Sequence, residues 1–269
     1  MLLLAASVHA ANIADFAEVT GGHYQVLAQG GEQIGREVNG YMNAMLQLYS
    51  RYFSNWTTKD AARVVVFNNR DDFREYSRTA VGATHAGLAG YCHRKTDPDG
   101  NTFYELVTFE SAGLWQVLAH EGFHQFIGYE LGEAVPVWLN EGLAQFFENN
   151  TVKNGRLIPG GIDAKTLAAA QAVIRARRVP ALGELLAMDR RTFYASPEVT
   201  YPVSWALVYY LMTRDSASFQ SGRFRRYLQD LKWSGDELAS FRRRFGRDSA
   251  QWEADFHRYI LQLRTPVEN

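Results

Sequence analysis

Hydrophobic residues between Glu32 and Phe53 recur at Ile34, Val38, Tyr41, Met42, Met45, Leu46, Leu48, Tyr49 and Phe53. That spacing builds one broad helical face and predicts an amphipathic helix. Arg63-Val-Val-Val-Phe67 is a β-branched run stopped by Asn68-Asn69, and Asp71 to Arg78 regains helical spacing, so a strand, a turn and a helix are expected. Gly82 to Gly90 is rich in Gly and Ala, which suits a close approach by another backbone. Leu88 to His93 and Thr102 to Phe109 flank Asp97-Pro-Asp-Gly-Asn101, a strong turn signal, and predict a hairpin. From Leu114 onward the pattern changes. Segments 114–129, 137–149, 163–178, 181–188, 204–214, 224–233, 236–245 and 249–263 all favour helix by length and periodicity. The chain therefore reads as α+β, with a mixed first part and a nearly all-helical second part that meet near Gly128 to Pro136.

Composition narrows the function classes. Of the 269 residues 46% are hydrophobic and 21% charged, too apolar for a disordered chain, and 28 Lys+Arg against 29 Asp+Glu leave no electrostatic reason to expect nucleic acid. Cys92 is the only cysteine, so neither an intramolecular disulfide nor a cysteine zinc cage can form. A metal site would have to use histidines and carboxylates. Leu2, Leu3, Leu4, Ala5, Ala6 and Val8 lead into Val8-His9-Ala10-Ala11, which looks like the end of an export signal without its positive start. Residues 1–20 are read as a truncated leader, which would place the protein in the periplasm or outside the cell. Without a leader it would be cytoplasmic. No stretch reaches the ~18 consecutive apolar residues of a transmembrane helix.

The chemistry concentrates at His120-Glu121-Gly122-Phe123-His124. On a helix, residues four apart project from one face, so His120 and His124 can share a metal ion, while Glu121 lies about 100° round, within reach of a water at that ion. A third ligand is available at Glu141, seventeen residues after His124 in Val137-Trp-Leu-Asn-Glu-Gly-Leu-Ala144, and two His with one Glu leave the fourth zinc position open. The bland alternative makes the two histidines ordinary core or surface residues and Glu141 a charge favoured by a helix N-terminus. Both segments together favour the metal.

These segments, with H-E-x-x-H-Q followed by W-L-N-E-G-L-A, resemble the gluzincin metallopeptidases, including the aminopeptidase N type. The chain is more closely similar to small bacterial proteins described as peptidase-MA-like. The resemblance implies a zincin-like, thermolysin-like catalytic fold. Residues 21–130 would be a mixed α/β subdomain carrying the motif helix, residues 131–269 a helical subdomain supplying the third ligand, and the active cleft would lie between them. It also implies one zinc per chain on His120, His124 and Glu141, with Glu121 as general base and proton shuttle. Tyr201, in Tyr201-Pro-Val-Ser-Trp-Ala-Leu207 before a helix, would donate to the developing oxyanion, with Tyr194 as its rival. The implied activity is zinc-dependent hydrolysis of peptide bonds in a peptide or protein substrate.

The sequence also departs from the aminopeptidase pattern. The His124 to Glu141 spacing is about two residues shorter, and in place of the G-[AM]-M-E-N stretch stands Ala86-Gly-Leu-Ala-Gly-Tyr91. An endopeptidase that pairs an extended substrate with an edge strand is therefore expected, rather than an aminopeptidase. Gln145 stands where thermolysin-like members carry an Asp that orients a ligand. Two rival functions share the residues: a non-catalytic zincin-fold scaffold of the cell envelope, and a zinc amidase on a non-protein amide. The arginine clusters near 175, 225 and 242 read as salt-bridged surface faces, His93 as a plain strand position, and Asn55-Trp-Thr57 and Asn149-Asn-Thr151 as glycosylation sequons.

Overall fold

Strands β1 (Ala17–Gly21), β2 (Tyr24–Ala28), β3 (Ala62–Phe67), β4 (Gly90–Thr96) and β5 (Thr102–Phe109) form one mixed sheet in the order β1-β2-β3-β5-β4. The description rests on a computed structural model of the chain and covers residues 12–53, 62–82, 85–132, 135–213, 222–234, 236–246 and 249–265. Most of the expected leader and the sequon at Asn55 lie outside those residues. The chain divides into two compact units, Met1–Gln47 with Thr57–Gln125, and Leu48–Trp56 with Phe126–Asn269.

In the first unit, the pairings β1/β2 and β4/β5 are antiparallel, while β2/β3 and β3/β5 are parallel. The expected β4–β5 hairpin forms around residues 97–101, and β4 is an edge strand. The β1–β2 hairpin was not anticipated. Its strands are short, and Asn39 and Asn43 of helix α1 (Glu32–Tyr52) complete its turn by donating their side-chain amides to Gly21 and Tyr24 carbonyls at 2.9–3.1 Å. Alternation sets the two faces of the sheet. On one face Val65, Phe67, Tyr91, Val107 and Phe109 pack with Phe73 of α2 (Arg70–Ala80). On the other lies α3 (Leu114–Leu131), so close that a Cβ on Gly90 would sit 2.5 Å from Val117 Cγ1. Gln125 of α3 ties the helix to the sheet by donating to the Arg63 and Tyr104 carbonyls at 3.1 and 2.9 Å.

Glu105 of β5 is fully buried on the α2 face, where Lys95 Nζ (2.9 Å), His93 Nε2 (3.1 Å) and Tyr76 Oη (3.1 Å) converge on its Oε1, with Arg63 3.6 Å from Oε2. Burial works to raise its pKa, but the bonds from His93 and Lys95 and their charges win and hold it down at about 2. His93 is thus part of a strand-to-strand polar network.

The second unit is mainly helical: α4 (Val137–Glu148), α5 (Ala164–Arg175), α6 (Leu182–Leu186), α7 (Arg190–Tyr194), α8 (Pro197–Thr213), α9 (Arg223–Ser234), α10 (Glu237–Phe245) and α11 (Ser249–Gln262). Helix α4 presents buried residues on every side, from Val137 to Phe147. It presses on α8 so closely that a Cβ on Gly142 would lie 2.5 Å from the Ser204 carbonyl oxygen. An unexpected small hairpin, β6 (Thr151–Lys153) with β7 (Arg156–Ile158), turns at Asn154-Gly155, both at positive φ. The basic surfaces are partly neutralised as expected, with Arg244 on Asp230 at 2.8 Å and Arg178 on Glu198 at 3.1 Å. No helix among the described residues is long and apolar enough to cross a membrane.

Candidate metal centre

Helix α3 owes its position to Leu118, Ala119, Phe123, Phe126 and Ile127, all buried. That packing leaves His120, Glu121 and His124 partly exposed on its remaining surface. The two imidazoles stack edge to face with ring centroids 4.8 Å apart, the arrangement the four-residue spacing dictates. Burial is the main cause that pushes the Cys92 thiol well up, and the charges of Glu121 and Glu105 push it further.

Glu141 is 4% exposed, and its Oε1 accepts a 2.7 Å hydrogen bond from the Tyr194 hydroxyl at the end of α7. One ligand atom each from His120, His124 and Glu141 lie within 4.8 Å of one another, the one such cluster among the described residues. Two imidazole nitrogens and a carboxylate oxygen are the donor set of a catalytic zinc with an open fourth position. Tetrahedral bonds of about 2.0–2.2 Å put donor atoms roughly 3.4 Å apart, so torsional movement of 1 to 1.5 Å shared among three side chains closes the set. The residues present fit the ion.

Residues 115–232 match the model of a family described as "Protein of unknown function (DUF1570)". No curated protein and no solved structure matches the chain. The matched segment contains His120, Glu121, His124, Glu141, Tyr194 and Tyr201, so every residue singled out for chemistry falls inside it.

Tyr201 needs a correction of place. It was expected before a helix that starts near Ser204, but α8 begins at Pro197 and carries Tyr201 within it. Proline is well placed at a first helical position, and Thr200 fastens this turn by donating to the Phe193 and Ser196 carbonyls. The Tyr201 ring lies 5.4 Å from Phe193 and 6.3 Å from Tyr194, so the two tyrosines are neighbours. Its carbonyl accepts from Gln145 Nε2 at 3.2 Å. Gln145 therefore joins α4 to α8. Tyr194, 43% exposed, is the residue that sequence reasoning ranked second and the structure brings to Glu141.

Proposed function

We propose that this protein is a gluzincin-type metallopeptidase with a zincin-like fold, in which His120, His124 and Glu141 hold one zinc ion. The observation that carries the reading is the convergence of those three donors next to Glu121 on a helix buried by its other faces. Bound zinc supplies Lewis acidity and lowers the pKa of a water to about 7. Glu121, one residue on from His120, takes the proton from the attacking water and delivers it to the leaving amine. Tyr194 holds the Glu141 carboxylate in place through its hydroxyl. Tyr201, its neighbour on α8, is the donor to the oxyanion that develops on the scissile carbonyl.

A peptide substrate suits the edge strand. β4 pairs only with β5 among the described strands, and its first residue, Gly90, lies against Val117 of α3, the helix that carries Glu121. An extended peptide can add to that edge through backbone hydrogen bonds at any point along its length, which favours internal cleavage over removal of a terminal residue. The test is Glu121→Gln in the full chain. It should keep its zinc and lose cleavage of a peptide library. Full cleavage by that variant would remove Glu121 from the mechanism, and bound zinc with no cleavage by the wild type would favour the scaffold reading.

A further inference from the structure

Helix α4 is also gripped at a point remote from Glu141. Trp138, fully buried and one turn before Glu141, donates its indole Nε1–H to Oε1 of Glu237, at the start of α10. The Tyr227 hydroxyl of α9, also fully buried, donates to the same oxygen at 3.1 Å. Asp236 caps α10 by accepting from Ala239 N at 2.9 Å, and Arg244 joins Asp230 through two 2.8 Å bonds, so Glu237 sits on a fixed pair of helices. Phe241 and Phe245 pack against the Tyr227 ring at 5.8 and 5.7 Å.

We propose that Glu237 is a positioning residue for the metal centre: through Trp138 it sets the rotation of α4 about its axis and so the place of the Glu141 carboxylate. This rests on the metal reading above. The lever is short and direct. Residues three apart on a helix lie about 60° apart round the axis. A 10° turn of α4 carries an atom roughly 6 Å from the axis by about 1 Å. That is comparable with the whole movement that the three side chains need to close on an ion.

Stability alone does not account for a carboxylate here. Burial pushes Glu237 up to about 7 although both hydrogen bonds pull it down, so the charged form is held at a cost. Nor does a buried indole in this chain require an acceptor: Trp205, equally buried, has no hydrogen-bond partner for its Nε1 among the described residues. What the acceptor adds at Trp138 is direction. A side-chain ring with one polar atom anchored has its orientation fixed.

The experiment titrates zinc-free full-length variants with Zn2+ against a chromophoric chelator, and with Co2+ followed by its visible spectrum. Glu237→Ala and Trp138→Phe should bind zinc 10- to 100-fold more weakly and shift the cobalt bands. Glu237→Gln keeps an acceptor oxygen and should return to within about threefold of the wild type, a rescue that general destabilisation would not give. Where a chelator-treated melt shows that Glu237→Ala has not folded, Tyr227→Phe, which deletes one oxygen, decides with Trp138→Phe. Wild-type affinity and an unchanged cobalt spectrum in the folded variants overturn the inference. Failure of the wild type itself to bind zinc overturns the metal reading instead.

Discussion

Tyr194→Phe removes one oxygen atom and with it the 2.7 Å bond to Glu141 Oε1. A hydrogen bond to a carboxylate is worth about 1.5–3 kcal/mol. Because Tyr194 is 43% exposed, water can replace part of that bond, which moves the expectation to the lower end. A loss of about 1.4 kcal/mol is tenfold in affinity. Zinc binding should therefore weaken by roughly tenfold, read by competition with a chromophoric chelator at fixed pH. The melting temperature of the metal-free chain should fall by only about 2–4 °C, since the substituted ring stays at the surface and keeps its contact with Phe193 at 5.4 Å. Equal zinc affinity in the variant and the wild type would refute the reasoning that this hydroxyl orients the ligand. A large fall in metal-free stability would mean the bond serves the fold.

Glu105→Gln tests the buried network of the sheet. Glu105 titrates near 2 in the folded chain and near 4.5 unfolded, so its ionised form contributes stability that is fully present above pH 4.5 and is lost as pH falls through about 2. The shift corresponds to about 3 kcal/mol at neutral pH. The stability gap between wild type and variant in urea should shrink over that window, and a gap independent of pH would contradict the assignment. Gly142→Ala should lower stability by roughly 1–3 kcal/mol, because its Cβ would meet the Ser204 carbonyl at 2.5 Å and backbone cannot step aside. A gain of about 1 kcal/mol, which helix propensity alone favours, would show that α4 and α8 are not in close contact there.

Local patterns carried much of this architecture. The face of α1, the β3–α2 step and the turn at residues 97–101 are each written within a few neighbouring residues, and each forms where expected. The pairing of His120 with His124 was legible for the same reason, since helical spacing alone places the rings on one face. Features that depend on distant residues were not legible. The parallel neighbours β2, β3 and β5 are joined by long crossovers, and nothing in one strand names its partner. The β6–β7 hairpin had a signal in Asn154-Gly155, but its three-residue exposed strands lack alternation. Tyr194 reaches Glu141 across 53 positions, and Glu237 reaches Trp138 across 99, distances no motif spans. Periodicity places a helix over 204–214, whereas α8 begins at Pro197 and continues through Pro202, a residue that disfavours helix interiors.

The most direct measurement is the metal content of the purified full-length chain, taken beside its peptide-cleaving activity before and after chelation. The account predicts one zinc per chain, activity lost with the metal and regained on adding zinc back, and no bound zinc in His120→Ala or Glu141→Ala. Cleavage that persists after the metal is gone, or zinc that stays bound in both variants, would contradict the assignment of His120, His124 and Glu141 as its ligands.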